Sequence, residues 1–153
     1  MLNCMDGDSM KKKLFQFVNN TIDKYFDLRI QPSINARLAK CRVQIFSLLN
    51  INYVIDVGAN SGQWSSLIRS YGYSGKIFSF EPGPQFENLK MKVEKEVNWH
   101  CENVAISNFV GDTKLNLASN NGLSSSILEP TGILGQGFDL HFSNEVQVPV
   151  TTL

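Results

Sequence analysis

The segment from Tyr53 to Gly62, with the sequence YVIDVGANSG, constrains the fold of this chain more than any other. A run of β-branched and aromatic residues carries the acid Asp56 near its end, Gly58 follows two residues later, and a helical pattern begins after Gly62. This order is typical of a strand that enters a tight turn and then a helix. In open α/β sheets, ligands bind beyond the carboxyl ends of such strands. We therefore expect a ligand-binding loop at this position.

The residues after this segment predict a βαβαβ unit. The expected elements are a helix from about Gly62 to Tyr71, a strand from Lys76 to Phe80, a helix from about Gln85 to Glu96, and a strand from Val97 to Glu102. The expected inward positions of the two helices are Trp64, Leu67, Ile68 and Tyr71 in the first, and Phe86, Leu89 and Val93 in the second. Such a unit is one half of a doubly wound α/β sheet of the Rossmann type.

Two amphipathic helices are predicted before the first strand. Leu14, Val18 and Ile22 recur at helical spacing between Lys11 and Arg29, after a polar tail. The second helix would begin at an N-cap, Ser33, and end near Asn50. Its expected apolar face consists of Ile34, Leu38, Cys41, Ile45 and Leu48 or Leu49. We therefore divide the chain into a tail and helical cover at residues 1–50 and an α/β part at residues 51–153.

Beyond Ser107 the pattern changes to short strands and turns. Gly111-Asp112 predicts a hairpin turn, and the alternation from Thr113 to Leu117 predicts a strand. Asn120-Asn121-Gly122 predicts a second turn. Gly132, Gly135 and Gly137 predict a loop, and Val146, Val148 and Val150 alternate as a last strand.

Composition limits the classes of partner. Basic and acidic residues number 14 each among 153, so a balanced net charge gives no reason to expect a nucleic-acid partner. The three cysteines form no CxxC pair, and the two histidines have no ligand-spaced partner, so we expect neither a metal site nor a disulfide framework. The sequence shows no secretory signal and no apolar run of membrane length, which favours a soluble cytoplasmic protein without a membrane span.

The glycine-containing loop differs from a dinucleotide fingerprint. In G-x-G-x-x-G counted from Gly58, the later glycine positions hold Asn60 and Gln63. The carboxylate of Asp56 at the strand end would repel a pyrophosphate and attract an ammonium or sulfonium group. The residues therefore favour S-adenosylmethionine over a dinucleotide. A purely structural strand-to-helix turn is the alternative.

Two further strand ends supply expected cofactor contacts. Glu81 ends the second strand 23 residues after Gly58, where an acid binds ribose hydroxyls in nucleotide folds. The segment Asn103-Val104-Ala105 ends the third strand, where Val104 and Ala105 would flank an adenine and Asn103 would meet its polar edge. We interpret Ser124 to Ser126 as a polar turn. The predicted cofactor-binding residues are Asp56, Gly58, Ala59, Asn60, Gly62, Glu81, Asn103, Val104 and Ala105.

These motifs together resemble the FkbM-type methyltransferase family. The matching stretches are the residues from Val54 to Gly62, Phe80-Glu81-Pro82, and Asn103 to Ser107. The resemblance implies a class I methyltransferase fold. It also implies transfer of a methyl group from S-adenosylmethionine, usually to a hydroxyl oxygen of a sugar, polyketide or glycan.

In the family, a fourth strand pairs with the first strand on its other side, and the resemblance ends at Leu153 before that half begins. We therefore expect a truncated sheet whose first strand is an edge, open to late hairpins or to a second subunit of a homo-oligomer. No residue is assigned a catalytic role. The alternatives are an inactive cofactor-binding fragment, an NAD-dependent oxidoreductase, and an interaction fragment that dimerises through the sheet edge.

Overall fold

The structure, a computed structural model, describes residues 13–14, 17–18, 34–129 and 141–153. Contacts divide the chain into two compact units, Met1–Arg37 and Leu38–Leu153. In the first unit the described residues are helical. The rest of the predicted helix from Lys11 to Arg29 lies outside the described residues, as do the polar tail, the cap at Ser33 and the glycine loop at 132–137.

The described elements alternate between helices and strands until the third strand and then become strands alone. In chain order they are α1 (Ile34–Leu48), β1 (Tyr53–Val57), α2 (Gln63–Ser70), β2 (Lys76–Phe80), α3 (Phe86–Val93), β3 (Trp99–Glu102), β4 (Ala105–Ile106), β5 (Gly111–Ala118) and β6 (Phe142–Thr151). None of these helices has the length and apolar character needed to cross a membrane.

The predicted βαβαβ unit is confirmed. The first sheet has the order β1-β2-β3, and both strand pairs are parallel. Helices α2 and α3 are the two crossovers, and both contribute to one apolar core against the sheet. The chain is therefore an α/β protein with a Rossmann-like parallel sheet.

Alternation along the strands explains this core. Val54, Ile77 and Trp99 occupy matched positions on three neighbouring strands, so their side chains share one face of the sheet. All three are buried, and they pack with the fully buried Ile68 of α2 and Leu89 of α3. Burying one such aliphatic side chain contributes roughly 1.5–3 kcal/mol. Because the three parallel strands are aligned by this shared face, their carboxyl ends lie along one edge of the sheet.

The opposite face of the first sheet is open within the described residues. Tyr53, Ile55 and Val57 of β1 are 62%, 54% and 52% exposed. The Phe78 ring stacks between the rings of Tyr53 and His100, with centroid distances of 6.4 and 5.3 Å. In the described part of the chain β1 pairs with β2 alone, which agrees with the expected edge position. Parallel sheets are ordinarily covered on both faces.

The second sheet joins distant parts of the chain. Its order is β4-β6-β5, with β4 parallel and β5 antiparallel to β6. The predicted last strand is confirmed as β6. The prediction of a hairpin turn at Gly111-Asp112 is wrong, because both residues belong to β5 and pair with Val150 and Pro149. A strand partner so distant in sequence gives no local signal.

The predicted apolar face of α1 is also wrong. Its members Ile34, Leu38, Cys41, Ile45 and Leu48 are exposed. Ala39 is buried instead, while Val43 and Phe46 pack against the core of the first sheet. The Phe46 ring meets the Tyr73 ring edge-on at 5.4 Å. Because α1 carries apolar residues on more than one side, periodicity alone does not select the packed face.

Gly62 allows the closest packing between the loop after β1 and the core. Its φ is 73°, and a Cβ there would lie 2.9 Å from Leu89 Cδ1 and 3.0 Å from the Trp99 ring. Gly62→Ala therefore combines left-handed strain of roughly 1–2 kcal/mol with overpacking of roughly 1–3 kcal/mol. We expect urea denaturation to show a free energy of unfolding lower by about 2–5 kcal/mol.

Gly72→Ala is the matched control. Gly72 also has a left-handed φ, 96°, but a Cβ there would meet nothing within 4 Å. This variant should therefore lose the strain contribution alone. Equal losses in the two variants would contradict the close packing of Gly62 against Leu89 and Trp99.

Candidate functional site

The candidate site lies where the carboxyl ends of β1 and β2 meet. Glu81 follows β2 and is only 7% exposed. Its Oε2 accepts a hydrogen bond from the Asn60 N–H at 2.7 Å, and its Oε1 accepts one from the Gly83 N–H at 2.8 Å. Hydrogen bonds to an ionised carboxylate are among the stronger ones in proteins. One buried carboxylate thus holds the loops that follow both strands.

The loop after β1 turns through left-handed residues. Gly58 and Asn60 have φ values of 73° and 49°. The N–H groups of Gly58 and Ala59 both donate to the Phe80 carbonyl, at 2.9 and 3.1 Å. A Cβ at Gly58 would meet nothing within 4 Å, so the space beside this backbone is open. Gly58 is therefore where a ligand has room to approach the loop.

Asn60 is a hydrogen-bonding centre of this loop. Its Oδ1 accepts from the Ser61 N–H at 2.7 Å and from Gln63 Nε2 at 3.0 Å. Its Nδ2 donates to the Asn121 carbonyl at 3.0 Å, in the turn after β5. The buried side chain therefore joins the loop to the second sheet. The Asn120–Gly122 turn was predicted, but nothing in the sequence indicates that it contacts Asn60.

Asp56 belongs to a second hydrogen-bonding network. Its Oδ2 accepts from Ser65 Oγ at 2.6 Å and from Ser79 Oγ at 3.4 Å. Trp99 Nε1 donates in turn to Ser79 Oγ at 2.9 Å. Burial raises the pKa of Asp56 above its ordinary value of 3.8, against the lowering effect of the two serine hydroxyls. Asp56 Oδ1 accepts no hydrogen bond from the described residues, so one oxygen remains for another group.

Two other predicted binding residues, Ala59 and Gly62, lie toward the protein interior, whereas Asn103 is exposed. Ala59 is buried in the core of the first sheet, and Gly62 packs against that core. Asn103 Nδ2 donates to the Glu81 carbonyl at 2.8 Å. Ala59 and Gly62 therefore shape the loop from inside, and Asn103 holds the end of β2.

An apolar cavity of about 200 Å³ lies beside Gly58. Most of its walls come from the ends of the strands and from the second sheet, namely Val57, Gly58, Phe80, Pro82, Val104, Ala105, Ile106, Leu115, Ser125, Ser126 and Ile127. Val104 and Ala105, two of the predicted cofactor-binding residues, line it. Leu115 and Ile127 were missed, because only the tertiary fold brings the second sheet to this edge.

The serine segment after β5 both forms a turn and borders this cavity. Ser125 Oγ accepts from the Ala118 N–H at 3.1 Å, and Ser126 Oγ accepts from the Leu128 N–H at 3.0 Å. The interpretation of this segment as a polar turn therefore fits its hydrogen bonds. Ser125 and Ser126 also stand in the cavity wall.

The arrangement offers one edge of the sheet to a ligand with both polar and apolar parts. A carboxylate oxygen of Asp56 suits a cationic group, the buried Glu81 carboxylate suits hydroxyl donors, and the cavity suits a flat apolar ring. No cluster of acidic, cysteine or histidine side chains suited to a metal ion occurs among residues that the structure describes.

Residues 56–153 of the chain are similar to a known protein family. A family model described as the methyltransferase FkbM domain matches residues 56–153. No curated protein matches the chain in sequence. A solved structure, the putative caffeoyl-CoA O-methyltransferase from Staphylococcus aureus, is similar over 61% of this chain and 48% of that one, with 14% identity and a TM-score of 0.38. The chain thus spans about half the length of that protein.

The buried position of Asp56 predicts a pH-dependent stability. Because burial raises its pKa in the folded state, the protonated form favours folding. This contribution is complete below the ordinary value of 3.8 and is lost as pH rises through the higher pKa of the folded state. In urea denaturation at a series of pH values, the stability of the wild type relative to Asp56→Asn should therefore fall as pH rises.

Ser65→Ala provides a second test of the same network. The Ser65 hydroxyl stabilises the Asp56 carboxylate, so its removal should make the fall in stability with pH steeper. A rise with pH in the stability of the wild type relative to Asp56→Asn would contradict the assignment.

Proposed function

The chain belongs to the methyltransferase FkbM family, and from that premise we propose that it binds S-adenosylmethionine at the carboxyl edge of the first sheet. The methyl acceptor in this proposal is a hydroxyl oxygen of a sugar, polyketide or glycan. The observation that carries the proposal is the hydrogen bond between Glu81 and the Asn60 N–H, inside the matched segment. This hydrogen bond brings Glu81 directly beside the glycine-containing loop, and an acid at this position binds ribose in nucleotide folds.

The polar end of the cofactor fits the loop after β1. Asp56 Oδ1 has capacity to accept from the amino group, and Gly58 leaves open space for close approach. The N–H groups from Gly58 to Gly62 all donate within the protein. An anionic carboxylate would therefore rely on the first N–H groups of α2, at Gln63 and Trp64, which have no intrahelical acceptor.

The nucleoside end fits Glu81 and the cavity. Each Glu81 oxygen accepts one backbone N–H and keeps capacity for another donor, so ribose hydroxyls can donate to the same carboxylate. The apolar walls at Pro82, Val104 and Ala105 suit the faces of an adenine.

S-adenosylmethionine supplies an electrophilic methyl group on its sulfonium sulfur. The part of the protein in this reaction is chiefly to position the two reactants. In the proposal residues 51–153 form the cofactor-binding part and residues 1–50 form a tail and helical cover. None of the described residues is assigned to acceptor binding or proton transfer. The cytoplasmic location stays a prediction.

Calorimetric titration with S-adenosylhomocysteine tests the cofactor site. We expect saturable one-to-one binding to the wild type and no response to NAD. Glu81→Gln removes the negative charge while keeping nearly the same size. Because hydrogen bonds to charged groups contribute roughly 1.5–3 kcal/mol, the affinity of Glu81→Gln for S-adenosylhomocysteine should be at least about tenfold lower than that of the wild type.

Glu87→Gln is the matched control for this titration. Glu87 is exposed on α3 and should bind as the wild type does. Unchanged affinity in Glu81→Gln, with an unaltered circular dichroism spectrum, would refute the site. Binding of NAD in place of S-adenosylhomocysteine would support the oxidoreductase alternative. Binding without turnover on any hydroxyl acceptor would support the inactive cofactor-binding fragment.

The open edge of β1 favours a second candidate function, association with another copy of the chain. Strand β1 holds neither lysine nor proline, the residues that commonly protect edge strands. Its one charged residue, Asp56, is engaged by Ser65 on the helix-covered face, so the open face of β1 is uncharged. Antiparallel pairing centred on Ile55 would set Tyr53 opposite Val57 of the second copy. Aromatic and β-branched residues form favourable cross-strand pairs.

Sedimentation velocity tests this pairing. The wild type should show a concentration-dependent dimer, and Ile55→Lys should be monomeric because it adds like charges at the centre of the pairing. Met91→Lys, at an exposed apolar position of α3, should dimerise as the wild type does. A wild type that remains monomeric at all concentrations would rule out the edge pairing.

A further inference from the structure

The side of helix α1 that points away from the core carries an apolar surface. We define the outer face of α1 as Leu38, Cys41, Ile45, Leu48 and Leu49. These residues recur at steps of three and four or lie next to one another, so a helix places them on one side. The Leu49 N–H donates to the Ile45 carbonyl at 2.9 Å, so helical hydrogen bonding reaches the last of them. The five side chains therefore form one stripe along the helix.

All members of the outer face are exposed. Among the four aliphatic side chains, exposure runs from 43% at Leu38 to 80% at Leu48, and Cys41 is exposed as well. The opposite side of α1 makes the contacts with the core of the first sheet, through Val43 and Phe46. Single exposed apolar side chains are ordinary, whereas a contiguous apolar patch marks an interaction site. Packing within the described residues therefore does not account for this stripe.

The charged residues of α1 are all basic. They are Arg37, Lys40 and Arg42, and each is exposed. None of the three forms an ion pair with another described residue. At 3.6 residues per turn, Lys40 and Arg42 lie about 100° to either side of Cys41. Cations without an acidic partner thus border the outer face.

This pattern of charge and side-chain type favours one kind of partner. A second copy of α1 against the same face would bring cations close to cations, and α1 holds no acid to pair with them. Energetically dominant residues of protein interfaces are enriched in Trp, Tyr and Arg, whereas Leu is under-represented. The outer face has no aromatic residue. A helix with an aliphatic stripe and lysine and arginine beside it is typical of those that lie on a membrane surface.

We propose that the outer face of α1 binds the surface of a bilayer that contains anionic phospholipids. The aliphatic side chains enter the boundary between headgroups and acyl chains, and Lys40 and Arg42 meet lipid phosphates. Helix α1 lies on the bilayer in this arrangement, and no described helix is long and apolar enough to cross it. The proposal goes beyond the proposed cofactor site, because the two share no residue.

The test is cosedimentation of the full chain with phospholipid vesicles. Vesicles of phosphatidylcholine and phosphatidylglycerol should bind the chain at least about tenfold more tightly than vesicles of phosphatidylcholine alone, because each cation near an anionic surface contributes roughly 1 kcal/mol, a factor of about five. Salt at roughly 1 M should weaken the binding by screening these cations. Absence of binding to the anionic vesicles, with binding to poly-L-glutamate instead, would assign the face to an acidic protein; absence of vesicle binding in any form would overturn the proposal.

Ile45→Glu tests the apolar stripe. It removes an aliphatic side chain and adds the same sign of charge as the lipid, so its affinity for anionic vesicles should be at least about tenfold lower than that of the wild type. Met91→Glu is the matched control, because Met91 is 55% exposed on α3 and Ile45 is 50% exposed on α1. Circular dichroism should show the same helical content in both variants. Equal vesicle affinity in the two variants would contradict binding through the outer face.

A charge-neutralised pair of variants tests the cations. Lys40→Gln/Arg42→Gln should bind anionic vesicles about twentyfold more weakly than the wild type. Replacement of Lys11, Lys12 and Lys13 by glutamine tests the other basic stretch of the chain, and this variant should bind more tightly than Lys40→Gln/Arg42→Gln. The reverse order of affinities would place the lipid contact outside α1 and overturn the proposal.

Sedimentation velocity without lipid tests occupation by a second copy. Ile45→Glu should sediment as the wild type does at each concentration, because the outer face takes no part in self-association. A shift toward monomer in Ile45→Glu would assign the face to a second copy of the chain and overturn the proposal.

Discussion

The hydrogen bond from the Asn60 N–H to Glu81 is the contact on which the rest of the candidate site depends. It joins the loops after two parallel strands at a point shielded from water, where an unpaired carboxylate would be costly. The same carboxylate holds the Gly83 N–H, and the Asn60 side chain continues the connection to Asn121. Three segments that are distant in sequence are thus fixed relative to one another by one acid and one amide.

The parts of the fold that sequence predicted are those with local causes. The βαβαβ unit follows from short apolar strands, helical spacing and the acid at a fixed distance from Gly58, and each of these signals lies within a single βαβ motif of about thirty residues. The packed face of α1 was not predictable, because Ile45 and Val43 are both apolar and only Val43 packs against the core of the first sheet. The pairing of β5 with β6 was not predictable either, because those strands are separated by residues 119–141.

Within the site, sequence identified residue types better than roles. Asp56 alternates with Ile55 and Val57, so its side chain shares the helix-covered face with Val54, where Ser65 and Ser79 engage one oxygen. Its expected role at the crevice thus rests on the other oxygen alone. The side-chain amides of Asn60 and Asn103 already donate hydrogen bonds to carbonyl groups of the protein. Spacing reveals that a polar residue stands at a strand end, but only packing reveals how much of its hydrogen-bonding capacity remains.

The second sheet makes one wall of the candidate site depend on pairing between strands that are far apart in the chain. The cavity beside Gly58 has Leu115 and Ile127 in its wall, and β4, which supplies Ala105 and Ile106, pairs with β6. Strand β6 is held by its long antiparallel pairing with β5, so this wall exists only when residues far apart in the chain have paired. The glycine-containing loop, by contrast, contacts β2 and Glu81 through its backbone, and its one bond to the second sheet region among the described residues is from Asn60 to Asn121. The polar half of the candidate cofactor site therefore depends mostly on local structure, whereas its apolar half depends on the pairing of β6 with β4 and β5.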